Sequence, residues 1–318
     1  MQRFEHSYPF DPSYGYDLEG LLRVEPDPEP ADYAAFWRQR YTHALSIEPR
    51  PSLRPSSYQR EGYCTYDLAY ESTDGFPIRG WLLRPLSQPP SRGFILGHGY
   101  GGIQRPDFEL PQPDAIYCVP CFRGLGRSAR SPISTDPQWH VLHDVQLRDR
   151  YLLGGCVEDV WTSVSALFQL FPELAEHLGY MGISFGGGIG AMAMAWDSRI
   201  RRGHLNVPSF GHQALRMSLP TIGSAASVQR ILQENGHLIE NLRYYDSALA
   251  ARHIRQPMHI AAALFDPVVA PPGQFAVYNA LPGERHLFVL DAGHFEYPGR
   301  ERQERELLAE LATFFEPL

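Results

Sequence analysis

Residues 178–195 read LGYMGISFGGGIGAMAMA, and the reading of this stretch decides the fold. A short apolar run of strand length ends in Gly182-Ile183-Ser184-Phe185-Gly186, a G-x-S-x-G pattern. Small residues follow: Gly186 to Gly188, Gly190, Ala191, Ala193 and Ala195. They predict a helix that packs close against a sheet. Strand, tight turn and helix together form a nucleophile elbow, in which flanking glycines let the chain turn sharply and lift the serine hydroxyl above the strand ends. The five-residue pattern alone recurs by chance in glycine-containing chains of this length. The strand before it and the helix after it give it weight.

Working outward, apolar strand candidates alternate with helical patterns. Gly93–Gly97, Asp114–Pro120, Gly179–Ile183, Gly203–Val207, Met258–Phe265 and His286–Leu290 are short apolar runs. Val157–Phe171 and the C-terminal residues Leu307, Leu308, Leu311, Phe314 and Phe315 repeat at helical spacing. Earlier in the chain, Tyr63–Tyr70 and Ile78–Arg84 predict two strands around a turn at Asp74-Gly75, and Ala31–Leu45 predicts a helix whose Tyr33, Phe36, Trp37 and Tyr41 form an aromatic stripe. Such alternation predicts a mostly parallel central sheet with helices on both faces. With the elbow, it predicts an α/β-hydrolase fold in one domain, residues 1–318. An N-terminal extension spans about 1–60, and a helical, cap-like insertion spans about 212–253, near the active site.

A serine hydroxyl needs a base, and in this fold the order along the chain is Ser, then Asp or Glu, then His. Thirteen histidines are available. His294, in Leu290-Asp291-Ala292-Gly293-His294, lies just past the last strand candidate and fits that order. Asp266 is the first polar residue beyond Met258–Phe265, on a loop stiffened by Pro267, Pro271 and Pro272. Asp291 is the rival acid, but it lies three residues from His294 on the same loop, an awkward place from which to orient the imidazole. The oxyanion donors are expected to be two backbone N–H groups, of Phe185 after the nucleophile and of Tyr100 in His98-Gly99-Tyr100-Gly101-Gly102. That glycine-rich loop lacks the spacing of either nucleotide-binding motif. Acyl transfer by these groups requires no cofactor and no metal. Cys118 and Cys121 have C-x-x-C spacing without a second ligand pair, so a structural role is expected.

Composition narrows the rest. Net charge is −8 and 43% of residues are hydrophobic, an ordinary globular balance with no basic run to meet nucleic acid. No stretch approaches the roughly eighteen apolar residues of a membrane span. The first twenty residues, MQRFEHSYPFDPSYGYDLEG, do not read as a secretory signal, so a cytoplasmic location with reduced cysteines is expected. The expected partner is a small-molecule ester.

These motifs in combination resemble the carbohydrate esterase family of acetyl xylan esterases and cephalosporin C deacetylases. The resemblance runs over most of the chain, from Phe36-Trp37 and the stretch Ile78–Pro85 to the end. His98-Gly99-Tyr100 matches the family's H-G-Y loop, Arg123-Gly124-Leu125-Gly126 its R-G-Q-G, and Ser184 with Phe185–Gly188 its S-Q-G-G-G. Asp266 with Val269, Pro271-Pro272 and Tyr278-Asn279 matches the acid's loop, and His294 takes the place of the family's histidine. The resemblance implies deacetylation of sugar or related esters and assembly into a homo-oligomer, a hexamer in relatives. Leu125 and Phe185 replace glutamines, and Phe295 separates His294 from Glu296 where the family reads H-E. Arg123 reads as a salt-bridge residue. A general carboxylesterase, a serine peptidase or a non-catalytic binding protein of the same fold would share much of this pattern.

Overall fold

A computed structural model gives the fold for residues 4–86 and 89–318. One nine-stranded sheet organises it. Its strands are β1 (Ser52–Pro55), β2 (Tyr63–Glu71), β3 (Pro77–Pro85), β4 (Gly93–Gly97), β5 (Ile116–Pro120), β6 (Leu178–Ile183), β7 (Arg202–Asn206), β8 (Met258–Ala263) and β9 (Arg285–Leu290). They lie in the order β1-β2-β3-β5-β4-β6-β7-β8-β9. The first three pair antiparallel with one another, β3 meets β5 antiparallel, and every pairing from β5 to β9 is parallel.

The central strands are apolar along their whole length because helices cover both faces. Every residue of β4, β5 and β8 is buried. The longer helices are α1 (Tyr33–Leu45), α2 (Leu152–Leu170), α3 (Phe185–Met194), α4 (Ala225–Glu234), α5 (Pro271–Ala280) and α6 (Arg300–Phe314). Alternate strand residues serve opposite cores. Ile95, Ile116 and Cys118 join Val157, Val160 and Trp161 of α2 and Ile189 of α3, while Phe94, Leu96 and Tyr117 join Leu307, Leu311 and Phe314 of α6. The aromatic stripe of α1 belongs to the first core: the Trp37 ring meets Trp161 edge-on at 6.1 Å and its Nε1–H donates to the Tyr244 carbonyl at 2.9 Å.

The insertion between β7 and β8 holds α4 and three shorter helices, Gln213–Ser218, Leu238–Leu242 and Ser247–Ala251. One buried carboxylate ties its two ends together. Asp246 accepts from the N–H groups of His212 and Gln213 at 3.0 and 2.6 Å and from those of Ala248 and Leu249 at 2.8 and 3.2 Å.

Three elements differ from the sequence expectation, one of them α5, which starts at Pro271 on a stretch expected to be loop. Helix α2 begins at Leu152 rather than Val157. Gly154-Gly155 looks like a helix breaker, yet both glycines are helical because guanidinium groups press on them: a β-carbon at Gly154 would collide with Arg40, and one at Gly155 with Arg123. Strand β1 was not anticipated. Its four residues, Ser-Leu-Arg-Pro, are mostly exposed at the sheet edge, where neither alternation nor a proline-free run is needed.

Arg123 makes the buried ion pair that its sequence context predicts. Its Nη2 lies 2.7 Å from Asp159 Oδ1, and the same nitrogen donates to Ser72 Oγ at 3.1 Å and Thr73 Oγ1 at 2.9 Å. Deleting one member of a buried pair strands the other charge without water. Arg123→Ala is therefore expected to lower unfolding free energy by about 3–5 kcal/mol. Chemical denaturation checks this, and a loss under about 1 kcal/mol would show that Asp159 finds other partners.

Candidate active site

Ser184 stands between β6 and α3 with φ 53° and ψ −112°. A non-glycine residue held in this region is strained by roughly 1–3 kcal/mol and persists only where its surroundings enforce it. Close backbone approach does so here. A β-carbon at Gly182 would strike the Gly186 carbonyl, and one at Gly186 would strike the backbone of Gly97. The turn therefore tolerates only glycine on either side. Its result is a serine 8% exposed at the first N–H groups of α3, where the helix dipole favours negative charge.

The structure brings Ser184, His294 and Asp266 together. Ser184 Oγ–H donates to His294 Nε2 at 2.9 Å, and His294 Nδ1–H donates to Asp266 Oδ2 at 2.8 Å. Asp266 is fully buried and its other oxygen accepts the N–H groups of Val268 and Val269 at 2.8 and 2.9 Å. Burial disfavours the charged imidazole of His294. The charge and hydrogen bond of Asp266 outweigh that, so its pKa stands above the ordinary 6.5. Asp291 is not part of this arrangement. Its N–H donates to Gln303 Oε1 at 3.0 Å, and its carboxylate makes no hydrogen bond to His294 among the described residues.

The loop after β4 passes directly over the serine. A β-carbon on Gly99 would sit 3.7 Å from Ser184 Cβ. Two neutral histidines fix this loop. His98 Nδ1–H donates to the Gly99 carbonyl at 2.8 Å while its Nε2 accepts from the Phe122 N–H at 3.1 Å. His140 Nε2–H donates to the Arg123 carbonyl at 3.0 Å, leaving Nδ1 to accept the Tyr100 hydroxyl at 3.1 Å. Burial pushes both imidazoles down to about 4, so neither competes with His294 as a base near neutrality. Tyr100 stacks on Phe185 with ring centroids 4.1 Å apart. The N–H groups of Tyr100 and Phe185 have no backbone acceptor among the described residues.

Sequence reasoning missed two supports of the acid. Gln274, buried in α5, donates from Nε2 to Asp266 Oδ2 at 3.0 Å and accepts the Ala263 N–H at 2.8 Å. The N-terminal arm supplies the other: the Asp266 N–H donates to the Pro12 carbonyl at 3.0 Å, and Tyr14 hydroxyl donates to the Pro220 carbonyl of the insertion at 2.7 Å. Phe4 packs against Phe265 and Phe295 at 5.1 and 5.5 Å. That contact explains Phe295, which fills an aromatic cluster beneath the histidine loop. Glu296 is thereby turned outward to pair with Arg300. Cys118 and Cys121 are buried free thiols, pushed up to about 12 and about 11 by burial, so neither offers a thiolate at neutral pH. Among the described residues no cluster of His, Cys, Asp or Glu suits a metal ion, and no helix is long and apolar enough to cross a membrane.

The sheet order, the strained serine turn and the loops after β8 and β9 define an α/β-hydrolase. Within that class the chain belongs to the acetyl xylan esterase (AXE1) family, whose sequence model matches residues 17–309, and it is a carboxylic ester hydrolase. Two solved acetyl xylan esterases are similar in structure. The enzyme from Thermoanaerobacterium sp. JW/SL YS485 is 20% identical, with 95% of this chain and 99% of that one covered at a TM-score of 0.76. For the enzyme from Paenibacillus sp. R4 the values are 20%, 93%, 99% and 0.79. The acylaminoacyl peptidase of Pyrococcus horikoshii is 16% identical over 81% of this chain and 42% of its own, with a TM-score of 0.65. At such identities these likenesses speak for the fold alone. No curated protein sequence matches the chain.

Proposed function

We propose that this protein is a serine esterase that removes short acyl groups, acetyl above all, from esters of sugars or related small molecules. The observation that carries the reading is the hydrogen-bonded series from Ser184 Oγ through His294 to Asp266, at 2.9 and 2.8 Å. In this reading Ser184 Oγ attacks the ester carbonyl carbon as its proton passes to His294 Nε2. Asp266 holds the tautomer and stabilises the imidazolium. The N–H groups of Tyr100 and Phe185 receive the developing oxyanion, each contributing about 3 kcal/mol. The intermediate collapses, the C–O bond breaks, and the alcohol leaves with the proton from His294. Water then attacks the acyl-enzyme with His294 again as base, releasing the acid and restoring the serine. Assembly into a homo-oligomer, as the family resemblance implies, belongs to the same reading.

What supports a short acyl group is the pair of stacked aromatic rings beside the nucleophile. Phe185 is fully buried against Tyr100. An open groove would favour longer chains by about 0.8 kcal/mol per buried methylene. A closed one penalises each added methylene by about 1–3 kcal/mol. kcat/KM across acetyl, butyryl and octanoyl esters of one alcohol is expected to fall steeply. A flat or rising series would point to a general carboxylesterase.

A further inference from the structure

The insertion carries a cation to the end of the sheet at which Ser184 stands. Arg216, on the short helix Gln213–Ser218, lines a cleft together with Phe210 and with Val268–Ala270 of the acid loop. Those two segments follow the carboxyl ends of β7 and β8, as Ser184 follows β6, and ligands of open α/β sheets bind at that end. Contacts run from the arginine to the neighbour of the nucleophile. The Arg216 guanidinium lies over the Phe210 ring, 5.0 Å from its centroid, and Phe210 meets Phe185 edge-on at 5.8 Å.

No anion meets this partly buried cation. Its one side-chain hydrogen bond among the described residues runs from Nη1 to the neutral Gln213 Oε1 at 3.1 Å, and it forms no ion pair there. Asp246 attracts it from a distance, but the Asp246 oxygens are taken by the four N–H groups named above. Burial pulls on Arg123 and Arg199 as well, yet their paired aspartates prevail and hold both above the usual arginine range. At Arg216 burial prevails, and the group stands below that range. An arginine cannot escape by losing its proton, and one aromatic face offsets the loss of water only in part. The backbone beneath it is strained too. Phe210 has φ 69°, an outlier for a bulky residue, and such strain collects at ligand sites.

The remaining donors define the ligand. Nε and Nη2 of Arg216 have no acceptor among the described residues, and neither is sealed from solvent. They are the two donors on one side of the guanidinium, spaced to meet both oxygens of one carboxylate. The ester carbonyl itself is neutral and is served by backbone N–H groups in the proposed mechanism. This positive charge is therefore left for another part of the substrate.

Resting on the serine esterase reading above, we infer that Arg216 is a specificity residue for an anionic ester and binds a carboxylate carried by the substrate, on its acyl or its alcohol part. Two matched pairs of esters separate those positions. Ethyl hydrogen succinate against ethyl succinamate places the charge on the acyl part, and 4-acetoxybenzoate against 4-acetoxybenzamide places it on the alcohol part. In Arg216→Met, which keeps an unbranched chain without charge, KM for at least one of the two carboxylates is expected to rise roughly 10–100-fold with little change in kcat. The matching carboxamide loses far less, and the pair affected tells which part of the substrate bears the charge. Arg216→Lys, which keeps the charge but not the fork, should recover part of the loss. Equal losses on carboxylate and carboxamide, an unmoved KM for both carboxylates, or no turnover of either carboxylate by the wild-type protein would overturn the assignment. Should Arg216→Met not fold, Arg216→Gln is held to the same comparison. 4-Nitrophenyl acetate separates the two readings: no turnover of it by the intact protein refutes the esterase, while turnover without discrimination by charge refutes only the role of Arg216.

Discussion

Replacing Ser184 with alanine is expected to lower ester hydrolysis by a factor on the order of 10⁴ or more while the protein remains folded. In the proposed mechanism the hydroxyl oxygen forms the acyl bond. Cys118 and Cys121 are buried thiols held protonated, and Ser209, the serine next to the elbow by backbone contact, has no hydrogen bond from its hydroxyl to a histidine among the described residues. Removing one oxygen from a residue 8% exposed leaves the packing of β6 on α3 intact. The cooperative unfolding transition is therefore expected to persist near its wild-type midpoint. An organophosphonate should label the wild-type chain once and the variant not at all. A folded Ser184→Ala protein that kept more than a few per cent of turnover would remove this serine from the mechanism.

Asp266→Asn has a comparably large expected effect, a fall in kcat of about 10⁴, through loss of the correct histidine tautomer. Asp291→Asn should do far less, because its carboxylate does not reach His294. The pH profile adds a check with a definite sign. His294 acts as a base only when neutral, so activity falls as pH drops through its pKa. In the wild type, burial lowers that pKa but Asp266 raises it further, placing the acid limb of kcat/KM above 6.5. Without the carboxylate only burial remains, and the limb of the residual activity should move below 6.5. A limb that stays in place would mean that another group holds the imidazolium.

Much of the site was legible because its chemistry is written locally. The turn at Ser184 requires glycines at fixed positions, and an apolar strand ending at the first polar residue marks Asp266. The parallel strands announce themselves as apolar runs because both faces are covered. The supports of the site were not legible, since they join residues with no shared period. Gln274 looks like any helix amide until α5 is laid against β8. Pro12 and Asp266 meet through backbone atoms, which leave no trace in residue type. His204 and His259 gave no signal either. They are register partners on β7 and β8, their Nδ1 atoms 3.0 Å apart, and burial holds both below the usual histidine range. The start of α2 was obscured for a different reason, because its two glycines make room for arginines that lie far away in the sequence.

The course of the N-terminal arm has a practical side for anyone producing this protein. Phe4 lies against the rings beneath the histidine loop, and Pro12 holds the acid loop through its carbonyl. A purification tag or fluorescent fusion joined ahead of Phe4 would emerge beside the reacting groups. The other end of the chain is anchored elsewhere, where the carbonyls of Phe315 and Glu316 bond Arg92 just before β4 starts. That is the end of the parallel strands where β4 starts, opposite the end at which the serine follows β6. A handle attached after Leu318 would leave the chemistry undisturbed, and a low yield of active enzyme from N-terminal fusions would have its cause in the arm.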